Sequence, residues 1–168
     1  MIKQNSADIV SSHPNREVLQ EFVKNSGVDT SFNLTTSFAN LTTSNRSFTP
    51  VSDDSDILYS FQFIARVYTI SSDAVLPHFK LMVNGVEEDD SNLSINPGVS
   101  AYPSSETMLT YKHLVPSWGA GTEYVMRLQG REFSASYDTI LYATYYWGSI
   151  AYASYAWPTL RITELAPA

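Results

Sequence analysis

Residues 137–157, YDTILYATYYWGSIAYASYAW, constrain the fold more than any other stretch of this chain. They hold six Tyr and two Trp among Ala, Ser, Thr and Gly, and their single charge is Asp138. Aromatic rings beside small residues favour a pleated, extended backbone over a helix. Alternation puts Thr139, Leu141, Ala143, Tyr145 and Trp147 on one face and Ile140, Tyr142, Thr144 and Tyr146 on the other. Both faces are then apolar, and a strand apolar on both sides is covered on both sides. Three readings of the block follow: core strands of a sandwich, a subunit interface, or a platform for sugar. Tyr and Trp suit interfaces because each buries a large ring while its polar tip still finds a partner. The candidate interface or binding residues are Tyr142, Tyr145, Tyr146, Trp147, Tyr152, Tyr155 and Trp157.

Composition narrows the class. The 168 residues suffice for one domain with a real core. Only 16% are charged, below the roughly 25% usual in soluble domains. The net charge of -7 argues against a nucleic-acid surface, which needs Lys and Arg to neutralise phosphate, and against an anionic membrane. Without Cys there is no disulfide, thiolate metal site or Cys nucleophile. No segment approaches the roughly 20 apolar residues of a membrane span, and residues 1–14 lack an apolar run of signal-peptide length. The expectation is a soluble protein made in a reducing cytosol.

Strand signals dominate. Residues 57–69 alternate, with Ile57, Tyr59, Phe61, Phe63, Ala65 and Val67 on one face and Ser60, Gln62, Arg66 and Tyr68 on the other. Residues 78–84 alternate Phe79, Leu81 and Val83 inward and end at Asn84-Gly85, a hairpin signal. Residues 108–115 read as a strand ending at Pro116. Residues 122–129 place Tyr124, Met126 and Leu128 inward, and 159–165 place Leu160 and Ile162 inward. The stretches 52–56, 87–92, 97–105 and 118–121 read as turns or loops. Residues 28–46 read as an edge strand or as an arm that orders against a partner. One helix is expected over residues 15–25, with Val18, Leu19, Phe22 and Val23 on one face after Pro14. The fold class is all-β, a β-sandwich of the jelly-roll type, with one short N-terminal helix and a polar N-terminal arm. The organisation expected is an arm at 1–46 and a jelly-roll domain at 47–168.

Catalytic patterns are absent from the sequence. His13, His78 and His113 have no ligand-spaced neighbours, and no GxSxG nucleophile turn occurs. The acidic runs at 53–56 and 87–90 lack the calcium-loop pattern. No catalytic residue, metal site or cofactor is therefore assigned.

The order of several short motifs resembles a β-module of phage and cyanophage virion proteins. Phe38 to Leu41 leads to Phe48-Thr49-Pro50, a Ser/Asp-rich turn at 52–56 and the long strand opening with Ile57-Leu58. Asn84-Gly85, Gly119-Ala120-Gly121-Thr122 and Leu160-Arg161-Ile162-Thr163-Glu164-Leu165 follow in turn. The resemblance covers residues 37–165. It implies a trimeric jelly roll of the tumour-necrosis-factor and complement type, as in capsid decoration proteins and tail fibres, with aromatic strands near the threefold axis. Residues 1–31 lie outside the pattern, and a short chain with a polar arm resembles a decoration or cement protein. The partners so implied are two further copies of the chain and a major capsid or other virion protein. A tail appendage gripping host glycan is the second possibility, and the location in either case is the particle surface after synthesis in the host bacterial cytoplasm.

Overall fold

The computed structural model describes residues 16–25, 32–69, 76–95, 105–134, 137–142 and 158–167. Two antiparallel sheets face each other. In the first, β5 (Ser55–Thr69) is the spine. One of its edges carries β9 (Ser105–Trp118) along nearly its whole length. The other edge carries β12 (Thr159–Leu165) at one end and β11 (Tyr137–Leu141) at the other. Beyond these lie β1 (Val18–Asn25), paired with β12, and β2 (Phe32–Asn33), paired with β11. In the second sheet, β10 (Tyr124–Arg131) pairs with β6 (His78–Val83) on one side and with β3 (Ala39–Asn40) and β4 (Arg46–Phe48) on the other. The outer edge of β6 carries β7 (Val86–Glu87) and β8 (Leu93–Ser94).

The long strands thus run in the order β1-β12-β5-β9 opposite β4-β10-β6-β7. From β4 onward five of the eight connections pass from one sheet to the other (β4–β5, β5–β6, β8–β9, β9–β10 and β10–β11), which winds the chain into a two-layer sandwich. The core lies between the layers. Ile57, Tyr59, Phe61, Phe63 and Ala65 from one sheet meet Phe79, Leu81, Met126 and Leu128 from the other. Phe63 touches Phe79 edge-to-face with ring centroids 5.4 Å apart. Of the inward positions expected from alternation, Ile57, Tyr59, Phe61, Phe63, Ala65, Phe79, Leu81, Met126, Leu128, Leu160 and Ile162 are buried. Val83 and Tyr124 are half-buried at the margin of the core, and Ser60 and Thr163, expected outward, are buried as well.

Local chemistry explains the tight turns. Asn84 and Gly85 have φ of 51° and 83°, the doubly positive pair of a two-residue hairpin whose twist matches its strands. The Asn84 side chain also accepts the Val125 N–H at 2.8 Å. β9 continues through Pro116 to Trp118, further than the sequence suggests. Among the described residues it is an edge strand, and its register with β5 shifts between Ser55 and Ile57, where a missing N–H is tolerated.

Two expectations change. Residues 18–25 form a strand, not a helix: seven of them pair with β12 from Leu165 to Thr159. The apolar stripe a helix requires is broken, since Val18 and Val23 are exposed and Phe22 packs against the core. Pairing satisfies the backbone of β12 along its outer edge, a gain no isolated helix at the surface offers. Residues 32–46 are likewise edge strands of the sandwich. Leu34, Leu41 and Ser44 are buried, and residue 46 lies inside β4, so the 46/47 boundary runs through a strand.

Candidate functional site

The aromatic block begins as β11, where Thr139 and Leu141 are buried as expected. The alternation ends there. Tyr142 has a φ of 64°, which turns its side chain inward instead of onto the opposite face. Its ring is buried and meets Phe63 with centroids 6.3 Å apart, and its hydroxyl donates to the Thr42 carbonyl at 3.0 Å. Burial pushes that hydroxyl's pKa up. Tyr142 therefore belongs to the core of its own chain. Tyr145, Tyr146, Trp147, Tyr152, Tyr155 and Trp157 lie outside the described residues.

Four of the motifs dispersed through the sequence converge at one end of the sandwich. Glu164 of β12 is wholly enclosed, and its carboxylate accepts the Val51 N–H at 3.0 Å and the Ser52 N–H at 3.0 Å. Gln20 of β1 donates to the same carboxylate at 2.6 Å. Burial alone would raise the Glu164 pKa, but the two amides with Gln20 and Ser55 outweigh it and hold the group below its ordinary value. Next to it, Gly121 N–H donates to the Pro50 carbonyl at 2.9 Å and Ala120 N–H to the Asp53 carboxylate at 2.8 Å. Gly121 has φ of 74°, a backbone state glycine reaches without cost. Arg16 closes the node, pairing with Asp56 and donating to the Ala166 carbonyl. The Thr49-Pro50 turn, the acidic turn, the Gly119–Gly121 turn and the Glu164 strand thus form one hydrogen-bonded knot. Its carboxylate is bound by two backbone amides, Gln20 and Ser55, and so ties these segments together.

The histidines remain apart. His78 bonds Asn92 at 2.9 Å and meets the Phe38 ring edge-on. His113 lies half-buried on β9, and burial lowers its pKa although Asp90 partly opposes this. His13 lies outside the described residues. The acidic loop after β7 is tied down by Lys80 to Glu87 at 2.7 Å and by Tyr111, whose hydroxyl donates to the Ser91 carbonyl at 2.7 Å.

One concave polar surface lies on the outer face of the first sheet, a groove of about 470 Å³ across β12, β5 and β9. Register sets its rows. Arg161, Ser60 and Lys112 are direct cross-strand neighbours, as are Thr159, Gln62 and Thr110. Thr163 and Leu58 complete one end. Alternation in the sequence marks Ser60, Gln62 and Arg161 as outward, but which of them share a row depends on pairing that no local signal encodes.

The fold defines the class of this protein as an all-β sandwich of two antiparallel sheets. No protein-family model and no curated protein matches the chain. Among solved structures it is similar to the dimeric latent PorU from Porphyromonas gingivalis, at 11% identity and a TM-score of 0.41, covering 87% of this chain and 12% of that one. It is also similar to infectious bursal disease virus, Gx strain, at 8% identity and a TM-score of 0.31, covering 89% of this chain and 36% of that one. The chain spans well under half the length of either, and likeness at this level carries no argument about function.

Proposed function

We propose that this chain is a non-enzymatic structural protein of a phage virion, a capsid decoration or cement protein that sits as a trimer on the outside of the shell. The observation that carries the reading is the knot around Glu164. Motifs up to 113 positions apart in sequence meet there through direct hydrogen bonds, which supports reading them as parts of one module, and the virion role is what the resemblance of that module implies. The remaining aromatics of the block, Tyr145 to Trp157, supply the contact between copies, and residues 1–15 are the segment left to serve as attachment arm. Assembly is mechanical: each subunit bridging shell proteins adds interface, and binding only the assembled state stabilises it. Quantitative mass spectrometry of purified particles tests this. Hundreds of copies per particle are expected. A few to tens would favour the second reading, a tail appendage that recognises host glycan, which the hydroxyl-lined groove supports. Absence from particles would refute both.

A further inference from the structure

We infer that the groove across β12, β5 and β9 is a binding site for a carboxylate-bearing oligosaccharide. Its central row is Arg161–Ser60–Lys112. Adjacent strands lie roughly 4.8 Å apart, so the two cations spring from backbones about 10 Å apart with a small Ser between them. Both side chains can lean over that gap and meet on one anion. Among the described residues Lys112 forms no ion pair, and Arg161 has only a 3.6 Å contact with Glu21, both side chains well exposed. A guanidinium has five donors, so that contact leaves its fork available for a carboxylate.

In the next row, Thr159–Gln62–Thr110, the Thr159 hydroxyl donates to Asn25 at 2.8 Å and the Gln62 amide to Thr110 at 3.4 Å. The Gln62 carbonyl oxygen and the Thr110 hydroxyl proton can serve a ligand rich in hydroxyl groups. The groove's volume falls within the roughly 300–1,000 Å³ of small-ligand sites. Two alternatives fit less well. An extended peptide binds sheets by adding to an edge, yet β5 is already paired on both sides along this groove. A neutral sugar is held by stacking on aromatic rings, and no aromatic residue lines the groove. Charge must therefore hold the ligand, in a protein whose net charge of -7 elsewhere repels anions. Glu21 at the rim opposes binding, which gives the inference a signed consequence.

The test uses the full chain, with tri-galacturonate as probe, a neutral galactose trimer of equal length and sodium sulfate, read by calorimetry and by amide shifts in nuclear magnetic resonance. Tri-galacturonate is expected to bind and to shift amides of β5, β9 and β12. Lys112→Gln and Arg161→Gln should each weaken it at least tenfold, Glu21→Gln should strengthen it several-fold, and Lys80→Gln on the other sheet should change nothing. Equal binding of the neutral trimer overturns the inference. So do insensitivity to both groove variants, no binding at millimolar probe, or a groove sealed by association of copies. Sulfate binding as tightly as the uronate would mean an adventitious ion only. Binding is measured on the free chain and copy number on particles, so this inference and the virion reading can fail separately.

Discussion

At the scale of single residues, buried polar groups decide more than the rings do. Glu164 shows this most clearly. Replacing it by Ala strands two backbone amides, and the expected loss is about 2–4 kcal/mol, measured by urea unfolding. Because its folded pKa lies below the ordinary 4.5, its contribution is present above that pH and disappears as the pH falls through the folded value. His113 acts in a higher window. Its folded pKa lies below 6.5, so the native state resists protonation, and stability falls as the pH drops from about 6.5 toward the folded value. His113→Gln should flatten the decline of Tm between pH 7 and 5 and leave the Glu164 limb below it. Thr43 adopts a φ of 68°, and its buried hydroxyl has no partner among the described residues. A β-branched residue is strained in that region, so Thr43→Gly is expected to raise stability by about 1 kcal/mol. Gly130 is the opposite case. A Cβ there would sit 3.0 Å from the Phe79 ring and 3.1 Å from Leu34. Gly130→Ala should therefore cost about 1–3 kcal/mol by overpacking the layer between the sheets.

At the scale of elements, the first strand is the instructive one. Residues 18–25 carry apolar spacing compatible with a helix, and the structure makes them a strand because β12 presents a free edge along its length. Removing residues 1–27 strips that edge and breaks the Gln20 contact to Glu164. Such a truncation is expected to aggregate or to melt well below the full chain, whereas on the arm reading removal of residues 1–15 leaves a folded chain. Differential scanning calorimetry on the two truncations separates these outcomes. If the arm reading is right, the shorter truncation is folded yet fails to join particles.

At the scale of the molecule, the open question is what covers the aromatic block after Leu141. If copies associate as proposed, Tyr145→Glu and Tyr146→Glu are each expected to give monomers or insoluble protein in size exclusion with light scattering. An unchanged oligomer would end the interface reading, and Tyr142→Glu is not a substitute, since it would disrupt the core around Phe63.

Much of this architecture was legible along the chain. Period-two alternation located β5, β6, β10 and β12 with their buried faces, and Asn84-Gly85 located a hairpin, because strand pleat and turn dihedrals depend on neighbouring residues only. The acidic turn before β5 was visible too, but not that its amides hold a carboxylate 113 positions away. Whether residues 18–25 coil or pair, whether Tyr142 faces in or out, and which side chains line the groove were settled by contacts between distant segments. Local propensity differs by only about 1 kcal/mol between such alternatives. Completing a sheet edge or satisfying a buried charge is worth more, and those gains exist only once the two layers have closed.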